Sequence, residues 1–69
     1  MKKITDYDRG YWIAVQNAAS FDLQADRQAV KALIRDAGFD RDTCLKLMEE
    51  NDFNAEIIHP VVDEMYPEK

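Results

Sequence analysis

Sixty-nine residues hold one domain with one modest core, and a chain this short hides a smaller share of its unfolded surface than a larger protein does. With 46% hydrophobic residues and only 2 Gly and 2 Pro, it is too apolar and too poor in breakers to be a disordered tail. Fourteen acidic against nine basic side chains give a net charge of -5 and a pI near 4.6, which argues against direct nucleic-acid binding because phosphate backbones are repelled.

The first segment places Tyr7, Tyr11, Val15 and Ala18 at i, i+4, i+8 and i+11, one stripe of a helix. Asp6 or Asp8 is its expected cap. A second helix is expected after Ser20 and Phe21, with Asp22 as N-cap and Ala25 at the third helical position. Its buried stripe is Ala29 or Val30, then Leu33, Ile34 and Ala37, and Gly38 ends it in a left-handed conformation that glycine adopts without steric cost. Asp40 or Asp42 caps a third helix with Cys44, Leu45, Leu47 and Met48 inward.

A fourth helix begins at Asn54, with Glu56 near the positive end of its dipole and Ile57, Ile58, Val61, Val62 and Met65 on its apolar side. Pro60 lies within it and withholds one backbone donor, so a kink near Glu56 or Ile57, or a break into two pieces, is expected. No sustained period-2 alternation appears, nor any Asn-Gly or Asp-Gly pair between β-branched runs. The expected fold is therefore an all-α bundle of three to four short helices in a single domain over residues 1–69.

The single cysteine, Cys44, leaves no partner for an intrachain disulfide or a CxxC pair, and a reducing, cytoplasmic setting fits it best. Asp6, Asp8 and Arg9 interrupt the start of the chain before an apolar run of signal-peptide length develops, and no run approaches 18 apolar residues. Neither secretion nor a membrane partner is expected.

Ala37-Gly38-Phe39, the opening Asp40-Arg41-Asp42-Thr43-Cys44-Leu45 and the later Asn54-Ala55-Glu56 have the order of the motifs in the ubiquitin-associated family of three-helix domains. Over roughly residues 26–66 the chain resembles that family, in which an Asn follows the loop Gly at the spacing seen here between Gly38 and Asn54. The resemblance implies three such helices with an additional N-terminal one. It also implies a ubiquitin-type contact surface of Ala37, Gly38, Phe39, Val61 and Val62. Ala37 stands where that family has Met, Ile58 where it has a small residue, and Pro60 inside a helix it keeps unbroken. The scaffold is thus implied more strongly than the ubiquitin partner, and fold does not fix function.

Nucleophilic catalysis needs a nucleophile, a base and a group that orients the base, and the chain offers one Cys, one His and Ser20 as its sole serine. Cys44 falls on an apolar stripe, where a free cysteine acts as a small hydrophobe. His59 next to Pro60 reads as a surface or partly packed side chain. Asp40 and Asp42 lack the glycine and bidentate Glu of a calcium loop, and no metal-ligand spacing occurs. The neighbours Glu49 and Glu50, like Asp63 and Glu64, point about 100° apart on a helix and do not converge on one atom. No enzyme and no cofactor are expected.

Binding is the remaining class, with a protein as the expected partner. Trp12 sits off the stripe set by Tyr11 and Val15, so either the first helix packs across the other three and takes it into the core, or it is an exposed anchor. Tyr11 and Phe39 accompany it as candidates. Val61, Val62, Met65 and Tyr66 exceed what one helix stripe hides, so a homodimer would use the exposed part of that segment. The reading ranked first is a docking module or small protein inhibitor. An acidic nucleic-acid mimic drawing on Asp36, Asp40, Asp42, Glu49, Glu50 and Asp52 ranks second, with Arg35, Arg41 and Lys46 interleaved against it. A ubiquitin-type binder ranks third.

Overall fold

Thr5 and Asp8 close a capping box: the Thr5 hydroxyl accepts from the Asp8 N–H at 3.2 Å, and the Asp8 carboxylate accepts from the Thr5 N–H at 3.0 Å. This reciprocal pair starts helix α1 (Asp6–Phe21) in the computed structural model, which describes residues 3–67. Helices α2 (Gln28–Ala37), α3 (Arg41–Glu50) and α4 (Ala55–Met65) follow, and no strand occurs among the described residues. The all-α bundle expected from the sequence is the fold found.

The inward stripe of α1 is Asp8, Trp12, Val15, Gln16 and Ala19, rotated by about one residue from the stripe of Tyr7, Tyr11, Val15 and Ala18 expected from spacing. Asp8 serves the cap, and the same face carries Trp12, the largest apolar surface in the helix, which is 1% exposed. Tyr7 is left 75% exposed, tilted against Tyr11 with ring centroids 6.1 Å apart. Tyr11 and Trp12 both reach Phe39, at 5.9 Å and 6.2 Å, in the edge-to-face geometry that aromatic quadrupoles favour.

Helix α2 begins six residues later than Asp22 itself. The chain first makes a turn that ends with Arg27 in the left-handed region at φ 54°. Asp22 nonetheless caps α2 from outside: its carboxylate accepts from the N–H groups of Ala29 at 3.0 Å and Val30 at 3.5 Å. Gly38 closes the helix at φ 73° as expected, and the Phe39 N–H returns to the Ile34 carbonyl at 3.3 Å, which turns Phe39 into the core. Val30 and Ile34 are buried while Leu33 and Ala37 are half-buried and Ala29 is exposed.

Asp40 rather than Asp42 caps α3, accepting from the Thr43 N–H at 2.8 Å. Cys44, Leu47 and Met48 point inward. Asn54 occupies the N-cap position of α4 but makes no side-chain bond to that helix. Its amide instead crosses to α1, donating to the Gln16 carbonyl at 2.9 Å and the Ser20 hydroxyl at 2.8 Å. Gln16 answers by donating to the carbonyls of Asn51 at 3.1 Å and Phe53 at 3.2 Å. Helix α4 runs unbroken through Pro60. Pro60 and Glu56 are both exposed, which leaves the carbonyl that the proline cannot serve on the side of solvent.

Helix α1 packs most extensively on α2 and also meets α4, which in turn packs on α2 and α3. The four helices therefore share one core of Trp12, Val15, Ala19, Val30, Ile34, Phe39, Cys44, Leu47, Met48, Ile58, Val61 and Val62. Total stability of about 0.05–0.15 kcal/mol per residue is ordinary for a domain. Truncating a buried Trp costs about 3–5 kcal/mol, a third or more of the roughly 3.5–10 kcal/mol that this implies for 69 residues. Trp12→Ala is accordingly expected to abolish cooperative urea unfolding or cut the midpoint severely, whereas Phe21→Ala, at a surface site, stays within about 0.5 kcal/mol of the parent. Equal midpoints for the two variants contradict this core.

Candidate functional site

Four of the six side chains expected to contact a partner belong to the interior. Trp12, Phe39, Val61 and Val62 are buried, and Tyr11 and Met65 are half-buried against them. Trp12 is a core side chain and not an exposed anchor. Helix α4 is covered by α1, α2 and α3 together, so it hides more than the single stripe allowed for in the sequence and leaves no exposed Val61 and Val62 patch for a homodimer. The surface implied by the ubiquitin-associated resemblance is likewise not assembled: of Ala37, Gly38, Phe39, Val61 and Val62 only Gly38 is exposed.

The large apolar side chains that do face solvent lie elsewhere. Phe21, the last residue of α1, is 82% exposed, and Leu23, in the turn after it, is 92% exposed. Both border a groove of about 630 Å³ between α1 and α2, lined also by Ala18, Ala29 and Ala32 with Gln24 and Gln28. Alanine at these positions leaves the recess open. Asp22 contributes to the lining, but its carboxylate is occupied by the N–H groups of Gln24, Ala29 and Val30. Isolated exposed apolar residues are ordinary, whereas a contiguous apolar patch marks an interaction surface.

The α1 side of this groove is free of charge, whereas Asp22, Asp26 and Arg27 lie at its α2 end. One third of the chain is Asp, Glu, Lys or Arg, yet no such residue lies between Arg9 and Asp22. Ion pairs join Arg9 with Glu50 at 2.8 Å and with Asp6 at 3.0 Å, Lys31 with Glu64 at 2.7 Å, and Arg41 with Asp63 at 2.8 Å. His59 adds a 3.1 Å contact to Asp63. Arg41 also donates to the Tyr66 carbonyl at 2.8 Å, tying the start of α3 to the end of α4. At the rim of the groove the Arg27 guanidinium donates to the Asp22 carbonyl, and Gln28 donates to the Asp26 carboxylate at 2.9 Å.

Burial, with a smaller contribution from the Asp40 charge, pushes the Cys44 thiol up to about 12, which keeps it protonated and packed as a hydrophobe. Among the described residues no group of three or more His, Cys, Asp or Glu side chains is placed to hold a metal ion, and no helix is long and apolar enough to cross a membrane. The Trp12 indole N–H and the Thr43 hydroxyl are buried without a hydrogen-bond partner. No protein-family model, curated protein or solved structure matches the chain. The helical fold alone gives no specific support to membership of the ubiquitin-associated family.

Three carboxylates sit below their ordinary range: Asp40 through the Thr43 N–H, Glu50 through a hydrogen bond from Arg9, and Asp63 through one from Arg41. A carboxylate whose folded pKa is depressed adds stability that is complete above the unfolded value, about pH 4, and is lost as pH falls through the folded one. Asp40→Ala is therefore expected to lose about 1 kcal/mol at neutral pH through the missing cap. Its difference from the parent in urea unfolding should narrow as pH falls from about 5 to about 2. A difference that holds constant down to the acid limit contradicts a charged cap.

Proposed function

We propose that this chain is a non-enzymatic docking module that binds a protein partner through the alanine-lined groove between α1 and α2. One coincidence supports the reading: the two most exposed large apolar side chains, Phe21 and Leu23, border the same groove, which the alanines of α1 and α2 leave open. Nothing in the core requires them there. Each side chain, once covered, contributes about 1.5–3 kcal/mol by removal from water, and the alanine recess beside them accepts a partner's side chain without displacing a charge. The buried, protonated thiol of Cys44 fits a reducing, cytoplasmic setting.

The acidic-mimic reading draws less support. Of the six carboxylates that reading draws on, Glu50 is paired with Arg9 and Asp40 is engaged by the Thr43 N–H, and Arg35, Arg41 and Lys46 are interleaved with the rest. Salt separates the two readings, because surface electrostatics weaken as ionic strength rises and apolar burial does not. Capture of interacting proteins on the immobilised chain, compared with Phe21→Ser/Leu23→Ser at low and high salt, is the test. Docking through the groove predicts capture that survives high salt and disappears in the double variant. Capture by both proteins at low salt only is the result that favours the mimic.

A further inference from the structure

We infer that the Leu23–Gln24 peptide bond is a cleavage site for a protease that recognises a large apolar side chain on the carbonyl side of the bond it cuts, and that this single cut dismantles the domain, whatever the groove binds. Proteases take substrate in an extended conformation, so they cut where the backbone opens locally and the recognised side chain already stands in solvent. Residues 23–26 are exposed and lie outside any helix. Leu23 is the most exposed large apolar side chain among the described residues.

Two hydrogen bonds flank this peptide bond, from the Gln24 N–H to the Asp22 carboxylate and from the Arg27 N–H to the Gln24 carbonyl, each 3.1 Å long. Opening them leaves the interior in place, because no residue between Ala19 and Val30 belongs to the core. The competing bonds are held more firmly. Phe21 is still helical, and the Asp22 N–H that follows it donates to the Ala18 carbonyl at 2.8 Å. Phe53, in the α3–α4 connection, has its carbonyl bound by the Gln16 amide at 3.2 Å. Phe39, in the connection between α2 and α3, is buried.

In the cut, water adds to the Leu23 carbonyl carbon and the C–N bond breaks, leaving a carboxylate on Leu23 and an ammonium group on Gln24. The carboxylate stands just past the C-terminal end of α1, where the helix dipole disfavours negative charge. Trp12, Val15 and Ala19 then reach the core from a separate chain. A short linker holds the two parts at an effective concentration of about 1 mM, so at about 1 μM the cut weighs against assembly by about a thousandfold.

Limited chymotrypsin digestion of the full chain, followed by mass spectrometry, is the test. The first products are expected to be residues 1–23 and 24–69. At about 1 μM the cut chain is expected to lose its helical circular dichroism and the buried emission of Trp12, its sole tryptophan, and to recover both at about 1 mM. Leu23→Asp, at an exposed site, is expected to keep the parent's circular dichroism and to be cut more slowly by about tenfold or more, because an apolar pocket rejects a carboxylate. A first cut elsewhere, an undiminished rate in Leu23→Asp, or a cut chain that stays helical at about 1 μM overturns the inference.

Discussion

Trp12 and Phe39 meet with ring centroids 6.2 Å apart, and the placement of the four helices depends on that contact. A chain of 69 residues has room for one core, and its largest side chain comes from α1 while the aromatic it packs against comes from the loop joining α2 to α3. Once the indole is inside, α1 cannot be an appendage laid on a self-sufficient three-helix unit. It closes the core formed with α2 and α4, and its remaining surface is the part of the molecule left without a neighbour.

The polar ties around the core serve the same geometry. Gln16 binds two carbonyls of the α3–α4 connection, and Asn54 returns two bonds to α1. Buried backbone groups in a loop must be satisfied or they cost about 1–3 kcal/mol each. Asp22 performs the equivalent task for the start of α2. These three side chains hold α1 in register against the rest of the protein. Of the three, Asp22 also lines the groove beside Phe21, where its carboxylate is taken up by N–H groups.

Much of the local structure was legible in the sequence because it rests on single residues with strong preferences. Gly38 ends α2, Asp40 starts α3, and Cys44, Leu47 and Met48 face inward, each for a reason confined to a few neighbouring positions. The register of α1 was not legible from spacing alone, since Tyr7 and Tyr11 compete with Trp12 for the inward face and the capping box of Thr5 and Asp8 decides between them. Long-range partners were hidden as well: Arg9 and Glu50 are 41 positions apart. The exposed pair escaped for a different reason. Phe21 ends a helix and Leu23 follows it, so neither stands out in a periodic pattern, and the run without charge between Arg9 and Asp22 reaches only Phe21.

The account turns on whether the groove between α1 and α2 is the surface this protein uses. Amide NMR spectra of the isotopically labelled chain, recorded with and without a protein captured on it, report on every helix at once. The account predicts that the shifts gather at Ala18, Phe21, Leu23, Ala29 and Ala32 while α3 and α4 stay fixed. Shifts centred on Met65 and Tyr66 at the end of α4 contradict it.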